Sequence, residues 1–262
     1  MKRSRLFIAA PALCLCLALA FSAYHYYAAP TPRAAYTTNK ESDTLNIAYI
    51  GDSWAFFHDR HNCRLASIVE DSICRPANVY SMGVCGLTSK EIYGSLFENT
   101  RFRQFFRQRS YDYCLVSCGI NDTYRKMGIG YYKKSLDCII QFLFSNNIHP
   151  ILMEIPDYDI EKAYNHQRPD RKLLRHFSML VNGTAIDCKQ AFRDALNELV
   201  QEKGYEEKVS IVRYRAWNKD FTNDQKHLYL NDGMHLNGAG YEALDSAIAK
   251  EILKDFSRHR PL

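Results

Sequence analysis

Several features that the sequence lacks limit what the chain can be. No proline-, glycine- or serine-rich stretch divides it after residue 45, so the 262 residues are expected to bury one core rather than two. The formal net charge is +5, yet acidic and basic residues are interspersed and form no basic stripe. The pattern therefore excludes a nucleic-acid partner. The small positive excess would suit an anionic glycan or membrane surface, although ordinary solvated charge is the simpler explanation.

Metal-binding patterns are also missing. The sequence has no C-x-x-C pair and no His/Cys cluster at zinc-ligand spacing, so neither a metal nor a cofactor is predicted. Two of the nine cysteines lie in the N-terminal segment, and the remaining seven cannot all pair within one chain. Cys114 and Cys118 lie in a strand-like run and Cys138 in an apolar helix, so most are expected to be small buried hydrophobic residues.

The first 30 residues have the pattern of an export signal. Basic residues at positions 2, 3 and 5 precede an apolar run that continues to Ala23. Ala18-Leu19-Ala20 fits a small-residue cleavage site, whereas the run is nearly long enough to span a bilayer, with tyrosines at 24, 26 and 27 as an interfacial belt. A lipoprotein-type cleavage is unfavourable because leucine precedes both Cys14 and Cys16.

Residues 1–30 are therefore predicted to be a signal peptide or a signal anchor, with a membrane tether through residues 6–29 if the segment is retained. Polar, proline-containing residues 31–44 are interpreted as a linker, and residues 45–262 as the folded domain. The domain is expected to be periplasmic or extracellular.

Apolar runs alternate with amphipathic stretches along the domain, which predicts an α/β fold with a doubly wound parallel sheet. The predicted strands are 46–51, 79–82, 111–118, 149–155 and 208–214. The predicted helices are 62–74, one or two within 88–109, 131–147, 187–203 and a last one from about 237. Residues 156–186 have weaker periodicity and could wall a site, and 215–236 are interpreted as a long loop. Periodicity alone leaves the strand order open.

Ser53 follows the first predicted strand, at the sheet edge where open α/β folds place their chemistry. A serine nucleophile needs a histidine base, a carboxylate that orients it, and donors for the oxyanion. Asp232 and His235 lie three residues apart near the C-terminus, and Asn121 follows the third strand. A turn can bring the carboxylate to Nδ1 of the same imidazole and leave Nε2 facing the serine. Ser53 as a helix N-cap and Asn121 as a turn cap are the structural alternatives.

These residues occur in four ordered blocks that resemble those of the SGNH hydrolase superfamily, the GDSL-type esterases and lipases. The blocks are Gly51-Asp52-Ser53-Trp54, Ser81-Met82-Gly83-Val84-Cys85-Gly86, Gly119-Ile120-Asn121-Asp122 and Asp232-Gly233-Met234-His235. Trp54 stands where leucine is commoner, and Ser81 replaces an asparagine. The resemblance covers residues 45 to about 255.

The resemblance implies a fold and a set of roles. The fold is a flavodoxin-like doubly wound five-stranded parallel sheet, in the order 2-1-3-4-5, with helices on both faces. Ser53, Asp232 and His235 would form the catalytic triad, and the backbone N–H groups of Ser53 and Gly86 would form the oxyanion hole with the Asn121 amide. Gly83 is expected to let its loop turn, and Asp52 and Asp122 to hold turns by hydrogen bonds.

The nucleophile motif of another hydrolase fold is absent. Alanine follows Trp54, so Ser53 does not lie in the G-x-S-x-G elbow of α/β-hydrolases. In that fold the acid and the histidine are also dispersed, whereas here Asp232 and His235 lie together at the end of the domain.

The favoured function is a serine esterase that removes an O-acyl group, with acetyl on a carbohydrate as the first choice. The alternatives are a polysaccharide O-acetyltransferase with the same site and a lysophospholipase or thioesterase. A non-enzymatic glycan-binding relative is least favoured because the catalytic set is complete. The expected partner is a small-molecule or glycan ester, and the oligomeric state is left open.

Overall fold

A five-stranded parallel sheet forms the centre of the domain. The computed structural model describes residues 2–36, 43–61 and 63–259, and in this part of the chain the strand order is β2-β1-β3-β4-β5. The strands are β1 (Leu45–Gly51), β2 (Ala77–Gly83), β3 (Tyr113–Ser117), β4 (His149–Met153) and β5 (Ser210–Val212). All residues of β1 and β3 are buried, as expected for central parallel strands covered on both faces. The doubly wound fold and the strand order implied by the resemblance are confirmed.

Helices connect the strands and extend the domain at both ends. They are α1 (Lys2–Tyr27), α2 (Ser53–His58), α3 (Leu65–Ile73), α4 (Ser89–Glu98), α5 (Thr100–Gln108), α6 (Ile120–Arg125), α7 (Ile129–Phe144), α8 (Ile160–Asn165), α9 (Pro169–Asn182), α10 (Lys189–Glu202), α11 (Phe221–Leu228) and α12 (Gly238–His259). The stretch 88–109 holds two helices because Asn99 is extended and its side chain caps α5.

The main departure from the expected elements lies in residues 215–236, interpreted from the sequence as one long loop. They contain α11, which begins after Asp220, whose side chain accepts a hydrogen bond from the Asn223 N–H. None of the residues of α11 is fully buried. The helix therefore has no buried apolar stripe, which is the signal by which periodicity identifies a helix.

The core lies between the sheet and the apolar faces of the flanking helices. On α12 the expected stripe of Tyr241, Leu244, Ile248 and Ile252 is at most 1% exposed. Four of the seven domain cysteines are fully buried, as expected for small hydrophobic residues, namely Cys114, Cys118, Cys138 and Cys188. Cys74 and Cys85 are exposed, and all the cysteines are free thiols.

The end of α1 packs on the domain. Lys90 Nζ donates to the carbonyl oxygens of His25 and Ala28, at 2.7 Å each. The first part of the segment interpreted as a linker also makes contacts, since the Arg33 N–H donates to the Tyr93 hydroxyl. Residues 37–42 of that segment lie outside the described residues. Among the described residues, no helix combines the length and the apolar character needed to cross a bilayer.

Candidate active site

The turn between β1 and α2 presents Ser53. Asp52 is the N-cap of α2, because its Oδ1 accepts a hydrogen bond of 3.0 Å from the Trp54 N–H. Ser53 is therefore the first helical residue rather than the cap, and its hydroxyl is available for another partner. The Ser53 N–H is also available, because the first N–H groups of a helix have no intrahelical acceptor.

Close packing around this turn requires two glycines. A Cβ at Gly51 would lie 2.3 Å from the backbone oxygen of Ser117, and one at Gly83 would lie 2.2 Å from the Phe56 nitrogen. Both distances are shorter than real Cβ contacts, so any larger residue would displace backbone. Gly83 therefore serves the close approach of β2 to α2.

Ser53, His235 and Asp232 form a continuous chain of hydrogen bonds. His235 Nε2 lies 3.0 Å from Ser53 Oγ, and His235 Nδ1 lies 2.6 Å from Asp232 Oδ2. Gly233, at a φ of +67°, allows the tight turn that brings the carboxylate back to its own loop's imidazole. The structure thus places the Asp232 carboxylate on Nδ1 and the Ser53 hydroxyl on Nε2 of one imidazole, as the three-residue offset predicts.

The Asp232 carboxylate is held in its ionised form. Partial burial acts to raise its pKa, but hydrogen bonds from the His235 N–H, the His235 imidazole and the Met234 N–H outweigh burial, and the pKa is lowered. A fixed negative charge at Nδ1 selects the tautomer with the proton on that nitrogen, and it stabilises a positively charged imidazole.

Aromatic packing links the nucleophile helix to the histidine loop. The Trp54 ring is fully buried and lies edge-on to Trp217 and Tyr229, with centroid distances of 5.8 and 6.5 Å. The Tyr229 backbone pairs with Leu236, next to His235. The tryptophan that departs from the usual leucine therefore fills the space between the two halves of the site.

Asn121 lies on α6 and is oriented by Asp52. Asn121 Nδ2 donates to Asp52 Oδ2 at 3.1 Å, and the Ser117 hydroxyl donates to Oδ1 at 3.2 Å. An amide nitrogen carries two protons, so one remains for a ligand. The cap of α6 is Gly119, which answers the alternative that Asn121 is only a turn cap. Burial raises the pKa of Asp52 to about 6.

The Gly86 peptide is fixed by a charged pair. The Gly86 carbonyl oxygen accepts a hydrogen bond of 2.6 Å from Arg125 Nη2, and Arg125 Nη1 binds both oxygens of Glu91 at 3.0 and 3.1 Å. Gly86 has a φ of +82°, which favours glycine. Because Arg125 lies on the same helix as Asn121, it ties together the two elements that carry the predicted oxyanion donors.

A cavity of about 690 Å³ adjoins these donors. Its walls come from Gly86, Asn121, the end of α1 and the inner face of α9. Three arginines line it, at positions 125, 171 and 175, together with apolar and aromatic side chains. The sequence indicated residues 156–186 as a wall only from their composition, and it gave no signal that α1 would contribute.

Comparison with known proteins is consistent with this geometry. Residues 49–243 match the model of the GDSL-like lipase/acylhydrolase family. The chain belongs to that family. Its members hydrolyse ester bonds, so the chain is an ester hydrolase of the SGNH type. A search of curated proteins found none that matches.

Solved structures share the fold of this GDSL hydrolase at low sequence identity. A lipase/acylhydrolase from Enterococcus faecalis is 18% identical, with a TM-score of 0.55 over 83% of this chain and 98% of its own. The esterase EstA from Pseudoalteromonas is 15% identical, with a TM-score of 0.53 over 81% and 98%. An acetyl xylan esterase is 16% identical, with a TM-score of 0.52 over 79% and 98%.

The GDSL hydrolase contains a second Ser-His-Asp set that the sequence did not reveal. His58 Nδ1 lies 3.0 Å from Ser81 Oγ, and His58 Nε2 lies 2.8 Å from Asp245 Oδ1. The Cys63 sulfur is 3.1 Å from the same Nε2, so three groups of metal-ligating type lie within 4.8 Å of one another. His58 and Cys63 lie close together in the sequence, but Asp245 comes from α12, 187 residues after His58. Ser81, the departure from asparagine in the second block, lies in β2 and ties that strand to the end of α2 through this contact.

Proposed function

We propose that the protein hydrolyses an O-acyl ester through an acyl-enzyme on Ser53, and that its substrate is an acetylated carbohydrate. The observation that carries the proposal is the 3.0 Å contact between His235 Nε2 and Ser53 Oγ, with Asp232 on the opposite nitrogen of the ring. A neutral Nε2 accepts a proton, so the histidine is placed to act as the base.

In the acylation step, Ser53 Oγ attacks the ester carbonyl carbon and its proton moves to His235 Nε2. The carbonyl oxygen becomes an oxyanion, and the Asp232 carboxylate stabilises the imidazolium. When the tetrahedral intermediate collapses, the bond to the alcohol oxygen breaks and His235 returns the proton to the leaving alcohol. Water repeats the sequence in deacylation, giving the free acid and restoring Ser53.

The oxyanion would be stabilised by the Ser53 N–H, the Gly86 N–H and the second proton of the Asn121 amide. Each of these groups is held before substrate arrives: the first by the helix start, the second through Arg125 and Glu91, and the third through Asp52. Donors that need no reorganisation during the reaction are the effective ones.

The proposal that the substrate is an acetylated carbohydrate has a separate basis. It rests on the export pattern of residues 1–30, on the lack of an evident long apolar lid in the sequence, and on the name of one structural neighbour, an acetyl xylan esterase. A screen of p-nitrophenyl esters from acetyl to palmitoyl, run beside acetylated xylan, tests it. Fastest cleavage of the acetyl ester with release of acetate from xylan, lost in Ser53→Ala, is expected. Preference for palmitoyl would favour the lipase alternative, and transfer of acetyl to an added glycan would favour the transferase.

We also propose that the domain works outside the cytoplasm, either tethered by residues 6–29 or released by cleavage. Cleavage after Ala20 would still leave Ser22, Ala23, Tyr26 and Tyr27, which line the cavity, in the mature chain. Alkaline phosphatase fused after residue 262 should be active in intact cells. A fusion that is inactive, with the protein found in the cytosol, would refute export.

A further inference from the structure

We propose that Arg171 and Arg175 form an anion-binding subsite beside the oxyanion donors, so that the ester which the enzyme cleaves carries a carboxylate or phosphate group. This inference rests on the proposed function, because it concerns the substrate of the same site. Both arginines line the cavity that Gly86 and Asn121 also line.

Arg175 is a buried cation without a carboxylate partner. It is only 7% exposed, and its guanidinium lies 3.3 Å from the centroid of the Tyr124 ring. Among the described residues, no carboxylate lies within ion-pairing distance of it. Burial lowers the pKa of Arg175, although a hydrogen bond and charge interaction with Tyr124 act to raise it. A buried charge of this kind is costly unless a counter-charge is supplied.

Arg171 adds a second positive charge on the same face of α9. It precedes Arg175 by four residues, the spacing at which helical side chains are neighbours and like charges repel. It is exposed, and it likewise forms no ion pair with the described residues. In the described part of the chain, Arg175 has only the Tyr124 side chain as a partner for its charge, and Arg171 lies one turn away, so an anion held between them would neutralise both guanidinium groups.

The third arginine provides a contrast. Arg125 is paired with Glu91 and also donates to the Gly86 carbonyl, so its charge is already used for the architecture of the site. Of the described residues, no aspartate or glutamate lines the cavity. The positive charge that remains therefore belongs to Arg171 and Arg175.

The rest of the lining fits a substrate with one charged group rather than a free inorganic ion. Leu174 and Phe177 project from the same helix, and Tyr26 and Tyr27 come from α1. These side chains offer apolar and aromatic contact to a sugar ring or an acyl chain. An ester with an acidic sugar and a lysophospholipid share this chemistry, and substrate pairs can separate them.

The test compares esters that differ only in charge. One pair is an O-acetylated methyl glucuronoside and the matching O-acetylated methyl glucoside; the other is lysophosphatidic acid and the monoacylglycerol with the same chain. In one pair, we expect the kcat/KM of the anionic ester to be about 10-fold or more above that of the neutral ester. This ratio corresponds to the free energy of one charged hydrogen bond. The pair that shows the preference identifies the source of the anion.

Substitutions then locate the preference. In Arg175→Gln the ratio of the two kcat/KM values should fall close to one, and in Arg171→Gln it should fall in part. Lys172→Gln is the matched control, because Lys172 lies on α9 outside the cavity lining and should keep the wild-type ratio. If Arg175→Gln does not fold, Arg171→Gln and Arg175→Lys decide the matter.

The failure of this inference is distinguishable from the failure of the proposed function. Hydrolysis of the neutral esters and fluorophosphonate labelling of Ser53, without any preference for an anion in the wild type, would overturn the subsite alone. A preference for the anionic ester that persists in both Arg171→Gln and Arg175→Gln would also overturn the subsite. Failure to label Ser53 or to cleave any ester would overturn both proposals.

Discussion

Two Ser-His-Asp sets lie in the described part of this domain, and we propose a catalytic role for only one of them. In Ser53–His235–Asp232 and in Ser81–His58–Asp245, a histidine bridges a serine hydroxyl and a carboxylate at 2.6–3.0 Å. The two sets differ in exposure. The His235 side chain is 23% exposed, whereas His58 and Asp245 are 1% and 0% exposed.

The hydrogen bonds around the carboxylates show what each set does. Among the described residues, Asp232 accepts hydrogen bonds only within its own loop, from the Met234 N–H and from the N–H and imidazole of His235. Asp245 also accepts from the backbone N–H groups of Arg64 and Leu65, so it caps α3 from α12. The second set therefore joins α12, α2 and β2. Residue types and contacts alone therefore do not identify a catalytic triad. The first set is distinguished by its partly exposed histidine and by the N–H and amide donors proposed to lie beside Ser53.

The largest expected difference is in turnover. Ser53→Ala or His235→Ala should lower kcat by about 10⁶-fold, and the double variant should lose little more, because the two residues act as a unit. Asp232→Asn should be damaging but leave more residual activity. Ser81→Ala, the matched control in the second set, should stay within a few-fold of wild type. Equal losses for Ser53→Ala and Ser81→Ala, measured on folded proteins, would remove the distinction between the sets.

For stability we expect the opposite order, with the second set more important than the first. His58→Ala leaves the buried Asp245 carboxylate without its side-chain donor, so the free energy of unfolding should fall by about 3 kcal/mol. His235→Ala should cost less than about 1 kcal/mol, since that ring is partly exposed. Urea denaturation measures both values. A His58→Ala protein as stable as wild type would show that the second set is not structural.

The amide of the first set has a smaller expected effect. Asn121→Ala should lower kcat by about 10²–10³-fold, because one oxyanion donor is lost while Ser53 and His235 remain. The variant should still be labelled at Ser53 by a fluorophosphonate. A loss as large as that of Ser53→Ala would instead indicate that Asn121, through its bond to Asp52, holds the nucleophile turn itself.

A buried carboxyl near the first set gives a pH-dependent prediction. Burial raises the pKa of Asp122 to about 6, above its ordinary value of 3.8, so the folded state holds this proton more tightly. Its contribution to stability is therefore present at low pH and lost as pH rises from about 4 to about 6. The stability of wild type relative to Asp122→Asn should fall by about 1–3 kcal/mol between pH 4.5 and 7.5. A constant difference would contradict the raised pKa.

The sequence allowed the first set to be predicted but not the second. Asp232 and His235 are three residues apart in one turn, and Ser53 and Asn121 each follow a buried strand, so local patterns place all four at one edge of the sheet. Asp245 lies 187 residues from His58 and points inward from an otherwise ordinary amphipathic helix. Its pairing depends on the docking of α12, which periodicity does not determine.

Of the cavity walls, the one within residues 156–186 was indicated only by composition, and the one from α1 escaped prediction. Helix α9 has large exposed apolar residues at Leu173, Phe177 and Leu180, so its pattern does not separate an inner from an outer face. The helical segment at the N-terminus had a sufficient explanation as an export signal. Its packing through the Tyr27 hydroxyl, 2.6 Å from Ser178 Oγ, is a tertiary contact without a sequence motif.

The central claim is that His235 activates Ser53 and that no comparable activation occurs at Ser81. Mass-spectrometric mapping of a fluorophosphonate adduct, with labelling rates for the wild type and for His235→Ala and His58→Ala, tests it most directly. The account predicts one adduct, on Ser53, formed at nearly the wild-type rate in folded His58→Ala and far more slowly in His235→Ala. An adduct on Ser81, or labelling of Ser53 that is indifferent to the loss of His235, would contradict it.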